Sequence, residues 1–125
     1  MGNPIEIKWL AEPEKKDFPN AKSYLGLLYD QKIVKGIMSK LKTVKTSQFK
    51  AKDIFRATGL SLLGVSNSHV EKDRKNIKNG EPLSPILLLR DKHNGKVIIA
   101  DGYHRMCAVY SYNEDAIIPC IICGR

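Results

Sequence analysis

Long apolar runs are absent from this chain. The longest, such as Pro85-Ile86-Leu87-Leu88-Leu89, fall far short of the ~20 residues that cross a bilayer. No apolar stretch stands behind a basic start at Met1-Gly2-Asn3-Pro4, so the sequence shows no signal peptide. Met1-Gly2 alone is a poor myristoylation cue, and Pro4 and Ile5 do not strengthen it. A cytoplasmic protein is the expectation. Cysteine is scarce and odd in number, three in 125 residues, so no disulfide framework is implied. Cys120 and Cys123 do form a C-x-x-C. A structural zinc site needs about four ligands, however, and no second C-x-x-C or H-x-x-x-H completes one. Within Ile117-Ile118-Pro119-Cys120-Ile121-Ile122 the cysteines read as small hydrophobes of a buried strand. Internal repeats and low-complexity tracts are also missing.

What the chain has is positive charge. Its 21 Lys+Arg outnumber 13 Asp+Glu to leave +8, an excess that favours nucleotides, nucleic acid or acidic surfaces as partners. The lysines are spread along the sequence with no compact arginine-rich arm, which is equally the pattern of a solvated basic surface. Hydrophobic and charged contents of 42% and 27% are those of a globular chain rather than a disordered one.

The residue pattern predicts an α+β domain in which a small mixed sheet is flanked by helices. Phe18, Ala21, Tyr24, Leu25 and Leu28 recur at helical spacing,. Asp30 is placed to cap a second helix whose stripe is Ile33, Val34, Ile37, Met38 and Leu41,. Together they make an N-terminal helical hairpin over residues 1–45, packed on a domain over residues 46–125. That domain opens with a weakly alternating strand near Phe49 and a helical turn near Ile54. A loop over residues 59–68 should tuck Leu60, Leu62, Leu63 and Val65 against the fold. Ser68-His69-Val70-Glu71 reads as a capping box, and Gly80 as the left-handed stop of the helix it opens. Two strands joined by Asn94-Gly95 follow as a hairpin, then a helix from about Tyr103 to Tyr112 and a last strand.

Asp101-Gly102-Tyr103-His104-Arg105 carries the chemistry. The helix behind it is apolar almost all round, with its strongly polar residues His104 and Arg105 confined to the first turn. A helix N-terminus already bears about half a positive charge, so a cation there is opposed by ~0.3–1 kcal/mol. Cations placed beside unsatisfied backbone N–H groups make sense if an anion binds among them, and phosphate suits the donor fork of Arg and the ring N–H of His. On this reading Arg105→Ala costs the fold little. On the alternative, Arg105 closes the domain by pairing with Glu114 or Asp115. Gly102 permits close backbone approach. Asp101 reads either as a helix cap, or as a catalytic base or magnesium ligand beside the phosphates.

The order of these pieces resembles the ParB/sulfiredoxin superfamily: the capped helix, Gly80, Leu83-Ser84-Pro85-Ile86-Leu87, the Asn-Gly hairpin, Ile99-Ala100-Asp101-Gly102-Tyr103-His104-Arg105 and Ile118-Pro119-Cys120-Ile121. The likeness spans about residues 49–122. It implies a nucleotide (ATP, ADP or CTP), accompanied by magnesium, with its phosphates between two helix N-termini. The Gly-x-His-Arg motif falls on Gly102, His104 and Arg105, and the other helix start on Ser68, His69 and Lys72. Asp101 and His104 become the catalytic candidates. Members of the superfamily include CTP-hydrolysing DNA clamps, ATP-dependent sulfinic reductases and an ADP-dependent free-serine kinase. Tyr103 stands where the reductases have their cysteine, which argues against that activity. No helix-turn-helix follows before Arg125, which argues against DNA reading in the ParB manner. The Asp-Gly-x-His-Arg string is most similar to the kinase-like members. The expected function is thus a nucleotide-binding domain, an NTPase or phosphotransferase. The alternatives are a nucleic-acid binder or nuclease using the same pocket, and an interaction module without chemistry. Steep salt dependence would mark many-phosphate binding.

Overall fold

The uninterrupted apolar runs at Ile86 and Ile117 form the two middle strands of a four-stranded sheet, and both faces of that sheet are covered. The computed structural model describes residues 5–64 and 67–125. In chain order the elements are α1 (Asp17–Leu25), α2 (Gln31–Leu41), β1 (Ser47–Lys50), α3 (Ala51–Thr58), α4 (Ser68–Lys78), β2 (Ile86–Asp91), β3 (Lys96–Asp101), α5 (Tyr103–Tyr112) and β4 (Ile117–Gly124). The strands lie in the order β1-β4-β2-β3. The β1/β4 and β2/β3 pairs are antiparallel, while β4 and β2 are parallel. The protein is therefore α+β with a mixed sheet.

Side chains alternate across a strand, so each middle strand feeds two cores. Ile86, Leu88, Ile118, Cys120 and Ile122 point to α3, α4 and α5 and pack with Ile54, Val70, Ile77, Met106 and Val109. Leu87, Leu89, Ile121 and Cys123 point the other way, onto Leu25, Val34, Ile37 and Leu41 of α1 and α2. Burial on both faces explains why these strands read as continuous hydrophobic runs instead of alternating ones. At ~1.5–3 kcal/mol for each fully buried large side chain, the α1–α2 pair is part of the core. Without it, one whole face of the sheet would meet water.

The local signals are mostly those the sequence carries. Asp30 caps α2, its Oδ1 accepting the Ile33 N–H at 2.9 Å. Gly80, at φ 75, lies just past α4, and Gly95, at φ 63, turns the β2–β3 hairpin. Three expectations need correction. The cap of α4 is Asn67, whose Oδ1 accepts from His69 N and Val70 N at 3.0 and 3.2 Å. Asn is as good a cap as Ser, and the extended backbone of Asn67 makes Ser68 the first helical residue, so the Ser68–Glu71 box does not form; Glu71 pairs with Arg74 instead. The turn near Ile54 extends into the whole of α3. In the loop, Leu63 packs on the core but Leu60 and Leu62 stay exposed, and Val65 lies outside the described residues. Leu63 is held by its N–H on Cys107 Sγ, and the Tyr103 hydroxyl donates to the Ser61 carbonyl.

The segment before α1 runs alongside residues 82–84. Trp9 and Leu83 form a parallel bridge, with Leu10 N donating to Leu83 O and Leu83 N to Lys8 O, both at 2.8 Å. This brings the start of α1 to the end of β3, where the functional candidates lie.

Candidate functional site

The turn from β3 into α5 is shaped around one side chain. Gly102 has φ 111, and a Cβ there would sit 2.9 Å from both Ile86 Cγ1 and Arg105 Nη2. The missing side chain lets the Arg105 guanidinium fold back over the turn. There Nη2 donates to the Pro85 carbonyl at 3.3 Å and to Asp101 Oδ2 at 3.2 Å. Nη1 lies 3.8 Å from Oδ1 of Asp17, a side chain only 1% exposed. Arg105 thus pairs with Asp101 and Asp17, and not with Glu114 or Asp115. Those two accept instead from Tyr110 and Lys52. They lie at the far end of α5, about a dozen ångströms away at 1.5 Å per residue.

Asp17 is held in turn. The Ser84 hydroxyl donates to its Oδ2, and the Glu14 N–H donates to both Asp17 Oδ2 and Ser84 Oγ, at 3.0 and 3.1 Å. The Asp101 carboxyl is raised to about 6, chiefly by burial, with the Arg105 guanidinium pulling it down and the Asp17 carboxylate adding to the rise. Asp101 does not cap α5: no side chain does. Its carboxylate is drawn to the guanidinium, and the amides of the first turn of α5 are left without a side-chain acceptor. Among the described residues, Arg105 Nε and Asp17 Oδ1 are buried without a hydrogen-bond partner.

The second wall of the site is a polar stripe on α4. His69, Lys72, Asp73 and Asn76 follow the i, i+3, i+4, i+7 spacing of one helical face,. They meet Asp101, Gly102, Tyr103, His104 and Arg105 across a cleft of about 250 Å³, with Glu14, Lys16 and Ser84 at its side. The helix starts are adjacent, with the rings of His69 and His104 4.8 Å apart between centroids. Burial lowers the His104 pKa, His69 lowers it further and Asp73 opposes, so the ring is neutral near pH 7,. Burial raises Asp73, while Arg105, His104, Lys72 and His69 all pull it down. The larger groove between Trp9 and Pro119 has no titratable side chain on its walls.

No model of a known family, no characterised protein and no solved structure matches this chain.

Of the residues expected at a site, the structure brings together His69, Lys72, Asp101, Gly102, His104 and Arg105. Ser68 is exposed at the helix start and does not line the cleft. Asp17 and Ser84 escape sequence reading because their roles are purely tertiary. Asp73 and Asn76 were missed as well, although a signal for them exists in the sequence: they continue the His69–Lys72 face,. Among the described residues no group of three or more His, Cys, Asp and Glu side chains is arranged to hold a metal ion. The cleft can offer an anion two imidazoles, two lysines and the uncapped amides of α5. It also offers a carboxyl that exchanges its proton near neutrality.

Proposed function

We propose that this chain is a nucleotide-phosphate-binding domain of the ParB/sulfiredoxin type, with the phosphates seated where the first turns of α4 and α5 meet. The observation that carries this reading is the 4.8 Å approach of His69 and His104 across the cleft, beside Lys72 and the uncapped start of α5. Two helix starts with cationic or N–H-bearing side chains repel each other, and both attract an anion placed between them. His104, neutral near pH 7, donates one ring N–H, Lys72 supplies a point charge, and the first-turn amides of α5 supply directed donors. Arg105 contributes less than its sequence position promises, because two carboxylates already hold it.

The reaction class this favours is phosphoryl transfer or hydrolysis. A carboxyl near 6 is matched to taking a proton at neutral pH, and Asp101 is such a group bordering the cleft. It accepts the proton of the attacking hydroxyl or water as the new O–P bond forms and the bond to the leaving phosphate breaks. Magnesium fits as an ion carried in on the phosphates and its own waters, since Asp101 is committed to Arg105.

Melting the protein with ATP, ADP, CTP and GTP, with and without magnesium, tests the reading. A nucleotide at about 100 times its Kd adds ~2.7 kcal/mol of stability. Lys72→Gln, a change on an exposed side chain, erases that gain and leaves the nucleotide-free melting point in place. A protein that no nucleotide stabilises does not have this function.

A further inference from the structure

Between Asp30 and Asp53 the chain carries seven lysines and no Asp or Glu. The structure gathers most of them on one outer surface. Val34, Ile37, Met38 and Leu41 turn α2 toward the sheet, which leaves Lys32, Lys35 and Lys40 on its outer side, all exposed; Lys42, just past the helix end and also exposed, lies with its ammonium over the Phe18 ring. Lys45 and Lys50, on the way into and along β1, are exposed as well. Among the described residues none of these six lies within ion-pair distance of a carboxylate; only the seventh, Lys52, is paired, with Asp115 at 2.6 Å. The carboxylate nearest in sequence, Asp30, is occupied in capping α2.

An ordinary solvated face interleaves both signs of charge, as α4 does with Glu71 and Asp73 among its lysines. On α2 the cations repel one another with nothing between them, which disfavours the helix. We propose that the outer face of α2 and the segment leading into β1 form a docking surface for the phosphate backbone of duplex nucleic acid, bound without base reading. The argument is charge complementarity. The eleven residues of α2 extend about 16 Å, while a duplex presents a phosphate charge about every 1.7 Å. A row of unpaired ammonium groups gains from releasing the counterions condensed there. An anionic membrane is the less suited partner. Helices that lie on membranes sink an apolar face into them, and the apolar face of α2 is committed to the core. This surface lies across the sheet from the α4–α5 cleft, so the proposal stands or falls apart from the nucleotide reading.

Fluorescence anisotropy of the full chain with a labelled random duplex of about 20 base pairs, between about 50 and 200 mM salt, tests it. The wild type binds at the low end, and log affinity falls against log salt with a slope of about −3 to −5, near −0.9 per phosphate contact. The triple variant Lys32→Gln, Lys35→Gln, Lys40→Gln loses at least about tenfold in affinity at low salt, and its slope flattens by about 2.7. The same positions changed to Arg keep binding, which separates charge from folding. Lys72→Gln in the cleft binds duplex like the wild type. Failure to bind duplex at the lowest salt overturns the proposal, as does a triple Gln variant that binds normally. Binding to phosphatidylserine vesicles with no binding to duplex assigns the surface to membranes and equally overturns it.

Discussion

On the α3–α4–α5 side of the sheet the least exposed cations have carboxylates beside them, Arg74 next to Glu71 and Arg105 between Asp101 and Asp17. On the α1–α2 side, six exposed lysines from Lys32 to Lys50 have none among the described residues. The difference follows from solvent. A guanidinium 16% exposed has lost most of its water and would be costly without compensation,. An ammonium on the outside of α2 keeps its hydration and tolerates like neighbours at a few tenths of a kcal/mol each. Compensation therefore marks where the fold has withdrawn charge from water, and its absence marks where charge remains available to something outside. Among the described residues the two sides meet at a single ion pair, Asp17 of α1 with Arg105 of α5.

Breaking that pair gives the largest expected effect. Arg105→Ala leaves Asp17 and Asp101 buried with no cation between them, a loss of about 3–5 kcal/mol by analogy with severed buried pairs. This reverses the expectation from the helix dipole alone, which opposes Arg105 by at most ~1 kcal/mol; the two carboxylates outweigh it. The sign of the pH dependence follows. Arg105 holds the Asp101 pKa down, so in the variant Asp101 binds its proton more tightly. The deficit is largest above about pH 6 and shrinks as the carboxyl protonates toward pH 5. Urea unfolding at pH 5 and pH 7.5 measures both. Equal stability of variant and wild type at pH 7.5 would show that the ion pair does not hold the two sides together.

A subtler change sharpens the comparison by removing one charge and keeping its shape. Asp17→Asn retains an acceptor for Ser84 but withdraws the carboxylate that helps raise Asp101. The Asp101 midpoint should fall from about 6 toward the ordinary 3.8, read directly from its carboxyl carbon resonance. In the wild type the folded-state value lies above the unfolded one. The folded state therefore holds the proton more tightly, and Asp101's contribution to stability is greatest below about pH 4 and lost as pH rises through about 6. Stability in that window flattens in the variant. An unmoved Asp101 midpoint would mean that burial alone sets it, with Asp17 a bystander.

These effects mark where sequence reading reached and where it stopped. Helix α5, the β2–β3 hairpin and the two middle strands were legible because periodicity, Asn94-Gly95 and continuous apolar runs are local signals. His69, Lys72, His104 and Arg105 were legible as a set because each lies in the first turns of a recognisable helix. The partner of Arg105 was not. Glu114 and Asp115 stand near it in sequence, but a rigid helix carries them away, while the β3–α5 turn carries Arg105 toward Asp17 from the other end of the chain. The cap at Asn67 was missed for a smaller reason: two good capping residues stand side by side, and which one serves depends on where the chain leaves the preceding loop.

The smallest effect concerns Gly36, in the middle of the lysine face. Its φ is not positive, and a Cβ at this position would meet nothing within 4 Å. Neither a turn nor a close approach inside the fold calls for glycine there. In a helix interior glycine is less stable than alanine by roughly 0.5–1 kcal/mol, because its unfolded chain has more freedom to lose. Gly36→Ala should therefore raise stability by about that amount, a few degrees in melting temperature for a domain of this size. The gain is expected because the two sides differ. At Gly102, on the cleft side, the same substitution drives a methyl into Ile86 and Arg105 at φ 111 and must destabilise. The α2 face is bounded only by solvent and whatever docks on it. Should Gly36→Ala melt lower than the wild type, the outer face of α2 is not open in the folded protein. A neighbour would then already cover it, most simply a second copy of the chain, and a concentration-dependent melting point would reveal that copy.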